Sequence, residues 1–551
     1  MYSSQLFRTP GNLSVLVASA LMVMASSSIA GLAKDSYLED DGGITFLPGL
    51  SGGGLANPSS GASLGLSFAG VSQFNLRTLL GGSFIPPDTM GAVGATQFME
   101  TTNGVYAIYN KATGANQQML RGDDFWANAG AGTGNLSGDA RVMFDKPSGR
   151  WIVASFGQSV ANISVAVSNT SDATGGWKST SFTGWAGGTA DYPTLALDSQ
   201  AVYIGTNNFR VGCNTASPAA NSFCGTTLNV IKRSDLLGAA APSTPSLKQF
   251  TTPYTYTPVT EDRGYAIQGV NSTGPVSGRI AAVSLTNYDL IRYDIANPGT
   301  AGATQGAVSY LGLPAYTDNS KARQPNGSRN IDTSDDRVGS SVWEQNGRIY
   351  AVHTTTPVSG AGADHTQISW SVTDANTNVI IDNGTISDAN YDFYQGSLAV
   401  NSSGQVVIGY NRSGFSAADG KVRIYARTFD SLANGHLSQT GDVFLKESLV
   451  DDYHNGSTFG NPPAGRQRWG DYSAVTVDPS NDRSFWVIGQ YAIEYNNAAS
   501  GHPGGSGGSN WGTWISEVTV AQAVPEPQTY LMMLSGLLAL GAAARRKVNK
   551  A

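Results

Sequence analysis

Aspartates recur at one kind of position along this chain, immediately before a stretch that alternates as a β-strand does. The clearest case runs from Gly470 to Tyr491 and reads GDYSAVTVDPSNDRSFWVIGQY, a strand, an Asp/Pro/Asn turn and a second strand rich in aromatic and β-branched residues. Carboxylates that converge around a cavity are hard oxygen ligands for Ca²⁺. The six aspartates in question are Asp88, Asp139, Asp191, Asp262, Asp336 and Asp471.

Arginines and one tyrosine accompany these aspartates. They are Arg141, Arg263, Arg337, Arg468 and Tyr472. Arginines with paired acids are suited to grip an anionic sugar and, with two acids, to hydrolyse it. An aspartate before a strand more commonly caps a turn, and an adjacent arginine neutralises it. The alternatives are therefore a structural role, binding of Ca²⁺ or a glycan, and catalysis, and the sequence fixes no firm metal site.

Seven stretches share the pattern of a polar opening, a strand, a turn and a second strand. They open at Pro87-Asp88, Gly138-Asp139, Ala190-Asp191, Glu261-Asp262, Asp335-Asp336, Tyr394-Gln395 and Gly470-Asp471. Their irregular spacing leaves room for four strands each with variable outer loops. The sequence therefore predicts an all-β fold, a seven-bladed β-propeller over residues 62–521. Two stacked β-sandwiches are the alternative. In a propeller, the aspartates would meet at one mouth of a central channel.

The last of these units has room for only three strands before Val524. Residues 62–71, ASLGLSFAGV, alternate apolar and small residues and precede the first unit. An unpaired edge strand promotes aggregation, so we predict that this N-terminal strand pairs with the last blade and closes it. The Gly/Ser-rich residues 31–61 are predicted to form a flexible leader.

The composition favours an exported protein. Only 13% of the 551 residues are charged, whereas 67 are glycine and 9% aromatic, as in β-rich proteins with many turns. The formal charge of −7 provides no basic surface, so nucleic acid is not an expected partner. Residues 1–30 have the three parts of a signal peptide: Arg8, the apolar run from Leu13 to Met24, and Ser28-Ile29-Ala30 before the cleavage site.

Two cysteines, Cys213 and Cys224, are the only ones in the chain. In an exported protein their close spacing predicts one disulfide that staples a loop, with two free thiols as the alternative. The five histidines show no metal-ligand spacing.

The C-terminus has three parts in order. Pro525, Glu526 and Pro527 precede an apolar run from residue 530 to 544, and Arg545 and Arg546 follow. This arrangement, residues 522–551, resembles a PEP-CTERM sorting signal. The resemblance implies processing by an exosortase, attachment to the membrane through the apolar segment before processing, and export in a Gram-negative bacterium to the periplasm, cell surface or extracellular matrix. A plain C-terminal membrane anchor is the alternative.

Four motifs in the body, PPDTMGAVG, AVSNTSDATGGW, DYPTLALD and GDYSAVTVDP, resemble secreted bacterial propellers distantly related to sialidases. Thr170 to Trp177 is similar to the sialidase Asp-box, which forms the turn between the third and fourth strands of a blade. Its Asp-to-Gly spacing is one residue longer, and the Arg-Ile-Pro motif of sialidases is absent. The resemblance therefore implies the fold more than an activity.

The function expected from the sequence is that of a surface-displayed binding or scaffold protein of the cell envelope or exopolysaccharide matrix, with glycans or exopolysaccharide as candidate ligands. The alternative is a secreted sialidase-like glycoside hydrolase acting on anionic glycans.

Overall fold

The computed structural model describes residues 61–521 apart from 133, 135–137, 215–220, 255–261, 276, 285–288, 318–320, 326, 328, 335, 359–364, 451–452, 454–466 and 496–508. The predicted signal peptide (1–30), nearly all of the predicted leader (31–61) and the sorting tail (522–551) lie outside these residues. No helix within the described part of the chain is long and apolar enough to cross a membrane.

Antiparallel sheets of consecutive strands make up the first half of the fold. Strand β1 is Ala62–Ser72 and leads into helix α1, Gln73–Leu80. The first sheet contains β2 Met90–Val93, β3 Gln97–Thr102, β4 Val105–Asn110 and β5 Asn116–Arg121, followed by helix α2, Gly122–Asn128. The second contains β6 Arg141–Asp145, β7 Arg150–Phe156, β8 Asn162–Ser168 and β9 Trp177–Thr183. The third contains β10 Thr189–Asp191, β11 Ala196–Leu197, β12 Ala201–Val211, β13 Asn221–Lys232 and β14 Lys248–Pro253, with helix α3, Arg233–Leu237, between the last two.

A ten-stranded sheet follows, in which two antiparallel groups are joined by a parallel pairing. Its strands are β15 Tyr265–Ser272, β16 Arg279–Val283, β17 Leu290–Ala296, β18 Thr304–Gln305, β19 Ser309–Leu311, β20 Tyr316–Thr317, β23 Val342–Gln345, β24 Arg348–Pro357, β25 Gln367–Asp374 and β26 Ile380–Ile386. The join pairs β15 with β23, with Val270 opposite Val342. A small sheet comprises β21 Lys321–Arg323, β22 Arg329–Asp332 and β31 Gln467–Arg468.

Two four-stranded sheets complete the fold. One contains β27 Tyr391–Val400, β28 Val406–Gly414, β29 Arg423–Ser431 and β30 Leu437–Glu447. The other contains β32 Ala474–Asp478, β33 Asn481–Tyr495, β34 Ser509–Val520 and, at its edge, β1. The prediction of an all-β, propeller-like fold is therefore confirmed. The count of seven blades stays a prediction, because two strand groups share one sheet.

Apolar residues of neighbouring sheets pack against one another, which explains the alternating pattern of the strands. Ile152 and Val165 of the second sheet, for example, lie in one buried cluster with Leu195 and Val202 of the third. The largest side chains that are fully buried are aromatic: Trp126, Trp151, Trp469, Trp486 and Trp511. Each such ring removes a large apolar area from water, which stabilises the contact between sheets.

The strands β2, β6, β11, β15, β23, β27 and β32 contribute residues to the wall of one cavity. We call the face at which these strands begin, near Asp88 and Asp471, the upper face. The lower face is the one at which they end, near Asp145 and Asp478. The space between the two faces is the channel.

The predicted pairing of the N-terminal strand with the last sheet is confirmed. Strand β1 runs antiparallel to β34, with Ala62 opposite Val520 and Phe68 opposite Ile515. This pairing covers an edge that would otherwise expose unpaired backbone groups.

Glu100, on β3, strengthens this closure and was not identified from the sequence. Its buried carboxylate accepts hydrogen bonds from the backbone N–H of Val71 (2.9 Å), from Thr513 Oγ1 (2.5 Å) and from the Tyr109 hydroxyl (3.0 Å). Burial raises the pKa of Glu100 to about 6, although its hydrogen bonds from Thr513, Val71, Tyr109 and Thr89 all act in the opposite direction. One side chain thus links the first sheet to both β1 and β34.

Two further predictions can be compared with the structure. Cys213 and Cys224 form a disulfide, with their Cα atoms 5.3 Å apart. The Asp-box-like segment lies between β8 and β9, the third and fourth strands of its sheet, as expected. There Asp172 Oδ1 accepts hydrogen bonds from the backbone N–H of Thr174 (3.0 Å) and from Gln97 Nε2 (2.8 Å). Its role is to hold a turn.

The closure predicts a strong effect of adding one methyl group to β1. A Cβ at Gly70 would lie 2.3 Å from Thr513 Oγ1 and 2.5 Å from Glu100 Oε2, so Gly70→Ala must displace the buried network. We expect Gly70→Ala to lower the free energy of unfolding by about 1–3 kcal/mol, measured by urea denaturation. The matched control is Gly82→Ala, because nothing lies within 4 Å of the added Cβ. Equal stabilities of the two variants would contradict the tight closure.

Candidate functional site

Four of the six predicted aspartates come together at the upper face. Asp88 Oδ1 accepts a hydrogen bond from the backbone N–H of Asp471 (2.8 Å), and Asp88 Oδ2 accepts one from Asn103 Nδ2 (2.8 Å). Asn103 Oδ1 in turn accepts one from the backbone N–H of Asp139 (2.9 Å). Asp191 lies near enough for its charge to act on Asp139. The sequence prediction of an acidic cluster therefore describes these four positions.

The backbone at these openings has an unusual conformation. Asp88 and Asp139 have φ angles of 47° and 54°, and Tyr192 and Gln395 have 53° and 55° in the corresponding segments. Aspartate tolerates this left-handed region better than most residues, since its short polar side chain bonds to nearby backbone groups. Part of the reason for an aspartate at a strand opening is therefore conformational.

Burial and mutual repulsion make these carboxyl groups hold their protons. Burial, with the neighbouring charge of Asp471, raises the pKa of Asp88 to about 7, although Arg468 acts in the opposite direction. Burial also raises the pKa of Asp139 well above its usual value, helped by the charges of Asp88, Asp191 and Asp471. The Tyr472 hydroxyl donates a hydrogen bond to Asp139 Oδ2 (3.0 Å), which opposes the shift without cancelling it.

Arg141 extends across the channel beneath this cluster. Its Nε donates to the carbonyl of Pro193 (2.9 Å) and its Nη1 to the carbonyl of Gly339 (3.2 Å), residues of different segments of the wall. Its guanidinium lies 3.7 Å from the centroid of the Tyr472 ring and 5.1 Å from that of Tyr192. Arg141 is buried, and these carbonyls and ring faces replace part of its hydration, although its Nη2 has no hydrogen-bond partner. The side chain therefore narrows the upper end of the channel.

The other predicted cations of this face are also engaged. Arg337 lies over the rings of Tyr192 (4.4 Å) and Tyr265 (4.9 Å). Arg468 Nη2 bonds to Asp471 Oδ1 (2.9 Å), and its Nη1 lies 3.6 Å from Asp332 Oδ2. Arg141 and Arg337 thus both lie over the Tyr192 ring, whereas Arg468 is paired with two acids.

The remaining predicted residues make hydrogen bonds near their own turns. Asp262 accepts hydrogen bonds from the backbone N–H of Gly264 (2.9 Å) and from Ser284 Oγ (2.6 Å), and Arg263 donates to the carbonyl of Gly306 (3.0 Å). Asp336 Oδ2 accepts from the Tyr316 hydroxyl (3.1 Å). The cluster described above thus contains four of the six predicted aspartates, and a ring of all six stays a prediction.

The upper face offers little room for a ligand. The cavity beside Arg337, His353 and Asp471 measures about 20 Å³, whereas small-molecule sites are typically ~300–1,000 Å³. His353 is buried and its pKa is lowered to about 4 by burial, so the imidazole is neutral. Among the described residues, no group of three or more His, Cys, Asp or Glu side chains is arranged to hold a metal ion.

The channel below Arg141 contains a cavity of about 560 Å³ that the sequence did not reveal. Its wall is largely apolar, with Val142, Phe144, Trp343, Leu398 and Val475 among its residues. Three polar atoms of wall residues are buried without a hydrogen-bond partner: Arg233 Nε, Ser340 Oγ and Trp343 Nε1. Leaving such groups without a partner costs free energy, although none of these atoms is exposed to the cavity.

The lower rim of this cavity carries more acids than cations. The charged residues that line it are Asp145, Asp198, Asp478, Asp482, Lys146 and Arg233. Several are paired within the protein: Arg233 with Asp145, and Asp478 with Lys111 (3.0 Å). The rim therefore carries a small net negative charge, which disfavours an anionic ligand.

A groove of about 440 Å³ adjoins the cavity on the lower face. The two share Pro147, Ser199 and Arg233. The rest of the groove is mostly polar, with Ser148, Gln200, Lys232 and Ser234 among its residues. The lower face thus offers a site that continues from the channel to the surface.

Comparison with known proteins gives one family match. The PEP-CTERM protein-sorting motif matches residues 523–547, which include the three parts predicted from the sequence. The chain is thus similar to exported proteins of Gram-negative bacteria that exosortase sorts to the cell envelope. No curated protein was found to match the chain.

Several solved structures are distantly similar. A quinohemoprotein alcohol dehydrogenase from Comamonas testosteroni is 11% identical, with 78% of this chain and 66% of that chain covered and a TM-score of 0.35. A mutant of Synechocystis apocarotenoid oxygenase is 12% identical, with 68% and 74% covered and a TM-score of 0.38. An exo-1,5-alpha-L-arabinanase from a bovine ruminal metagenomic library is 11% identical, with 53% and 93% covered and a TM-score of 0.29. At such TM-scores they carry no inference about activity, and they are not specifically sialidase-like.

The contacts of Arg141 predict that lysine cannot replace it. Lysine lacks the planar fork that reaches two carbonyls, so Arg141→Lys should lower the free energy of unfolding by about 1–3 kcal/mol in urea. The control is Arg121→Lys, since the Arg121 side chain is 46% exposed. A change below about 0.5 kcal/mol at both positions would show that the guanidinium contacts contribute little.

The raised carboxyl pKa values predict the direction of a pH effect. Because Asp88 and Asp139 bind protons more tightly when folded, the folded chain binds more protons than the unfolded chain. Their contribution to stability is therefore complete below about pH 4 and is lost as pH rises, for Asp88 through about 7.

Asp139→Asn, a neutral isostere, should reduce the loss of unfolding free energy between pH 5 and pH 8. Asp123→Asn, at a 52% exposed side chain, should retain the wild-type slope. A wild-type stability that rises across this range by an amount unaffected by Asp139→Asn would contradict the assignment.

Proposed function

We propose that this chain is a surface-displayed, seven-bladed β-propeller that binds glycans of the cell envelope or exopolysaccharide matrix in its channel. The blade count is supported by grouping the strands: β2–β5, β6–β9, β10–β14, β15–β19, β23–β26, β27–β30, and β32–β34 with β1. The parallel contact between β15 and β23 then joins two adjacent blades. The sorting motif supports export and exosortase as a partner. Before processing, the apolar residues 530–544 attach the chain to the membrane.

The observation that carries the proposal is the cavity of about 560 Å³ on the channel axis. Its size lies within the ~300–1,000 Å³ typical of ligand sites. Phe144 and Trp343 give it aromatic surface, on which the C–H faces of a sugar ring stack. The acidic excess on the rim favours a neutral sugar over an anionic one.

The hydrolase alternative is less well supported by the geometry. It requires arginines, acids and a tyrosine around a space large enough for a sugar. At the upper face, Asp88 bonds to the backbone of Asp471 and Tyr472 bonds to Asp139, and the adjacent cavity beside Arg337 and Asp471 measures only about 20 Å³. We therefore assign Asp88, Asp139 and Tyr472 to the structure of the upper face.

A pair of tryptophan variants tests the binding proposal. Full-length protein is applied to an array of neutral and of sialic- or uronic-acid-containing oligosaccharides, and affinity is measured for the neutral glycans that bind. Trp343→Phe leaves a smaller ring and therefore less stacking surface, so we expect affinity to fall about fivefold, which corresponds to a loss of about 1 kcal/mol. Trp343→Ala removes the stacking surface altogether and should reduce affinity further.

The matched control is Trp514→Phe. Trp514 Nε1 is also buried without a partner, but Trp514 lies on β34 at the outer side of its sheet and does not line the cavity. This variant should bind as wild type does. Absence of binding to every neutral glycan, or equal loss in both Phe variants, would overturn the proposal. Release of reducing sugar from the anionic set would support the hydrolase instead.

A further inference from the structure

The two ends of the described chain meet at one point. Ala62 is opposite Val520 in the pairing of β1 with β34, and the backbone N–H of Ala521 donates to the carbonyl of Gly61 (2.5 Å). The backbone N–H of Gly61 donates to the carbonyl of Thr440 (2.8 Å), which fixes this point against β30. The sorting tail therefore leaves the propeller from a defined place.

That place is on the lower face. Strand β32 descends from Asp471 to Asp478, β33 returns to the upper face, and β34 descends again to Val520. The carbonyl of Ala521 accepts a hydrogen bond from Gln405 Nε2 (2.8 Å). Gln405 also bonds to Asn401, which lines the cavity. The tail thus departs from the same face onto which the cavity opens.

The connection between this point and the apolar segment is short. Residues 522–529 separate Ala521 from Tyr530, and even a fully extended chain of this length spans at most about 30 Å. Strand β34 has 12 residues and is therefore ~40 Å long, and it forms the side of its sheet from the upper to the lower face. The connection is too short to pass around the side of the propeller, so the upper face cannot lie against the membrane.

We propose that the lower face is the membrane-facing surface of the propeller as long as the tail is in the membrane. The connection then keeps the exit point, which is on the face of the cavity mouth, within about 30 Å of the bilayer, and this restricts the approach of bulky polymers to the cavity and the adjoining groove. Removal of the tail by exosortase lifts this restriction, so the sorting step also makes the cavity more accessible to polymers. This inference rests on the proposed membrane attachment, but not on the identity of the ligand.

Labelling of a single thiol tests the orientation. Both native cysteines are in the disulfide, so one introduced cysteine is the only free thiol. Ser403→Cys places it on the lower face next to Ser402 of the cavity rim, and Ala418→Cys places it in the exposed β28–β29 hairpin at the upper face. Each full-length variant is inserted into lipid nanodiscs and reacted with a bulky polyethylene-glycol maleimide.

The control is the same chain with a Gly/Ser linker of about 30 residues inserted after Ala521, which adds an average reach of ~30 Å. We expect Ser403→Cys to react at least about tenfold more slowly with the native connection than with the linker. This ratio corresponds to a native chain in which the thiol is accessible in a tenth of the molecules or fewer. Ala418→Cys should react equally in both. Equal rates at Ser403→Cys, or slow reaction at Ala418→Cys, would overturn the orientation. A chain that fails to co-elute with nanodiscs would instead contradict the membrane attachment itself.

Discussion

The pairing of β1 with β34 is the constraint on which the rest of the structure depends. The last sheet supplies only three strands from its own segment, so its edge is completed by residues that lie more than four hundred positions earlier. Without this contact, the innermost strands would have no reason to close around a common space. The hydrogen bonds of Glu100 to Val71 and Thr513 extend the closure into the neighbouring sheet. The channel therefore exists as a consequence of a contact between the two ends of the fold.

Closure also explains why the upper face is crowded with charge. Segments from separate sheets are brought so near the axis that Asp88, Asp139 and Asp471 share one small volume. Carboxylates at such distances cannot all remain ionised, and Arg468 and Arg141 supply the available compensation through charge and ring contacts. The result is a rigid, desolvated cap on the channel. Most of its polar groups bond to one another, although Arg141 Nη2 is buried without a partner.

Much of the fold and part of the site could be predicted from the sequence, for identifiable reasons. Period-two alternation in segments such as AVTVD reflects a strand with two different faces. The last unit has only three strands of its own, and the missing fourth strand pointed to β1. The clustering of Asp88, Asp139, Asp191 and Asp471 followed from their common place before innermost strands. Asp262 differs from these four because its side chain accepts a hydrogen bond from the backbone N–H of Gly264, two residues further along its own turn. The cavity could not be predicted from the sequence. Val475 and Phe144 face the cavity, but an apolar residue at such a position in a strand looks the same in the sequence as one packed between two sheets. Trp343 differs only in an indole N–H without an acceptor, which is a property of three-dimensional surroundings.

The position of Arg141 has a consequence for which part of a polymer can be bound. Because its side chain bonds to both Pro193 and Gly339, it narrows the channel above the cavity, and a glycan bound as we propose enters from the lower face. A polymer that enters from one face presents its terminal unit to such a site. Such a protein would respond to the number of chain ends in a matrix and not to its mass. Short chains would present many sites per gram and long chains few.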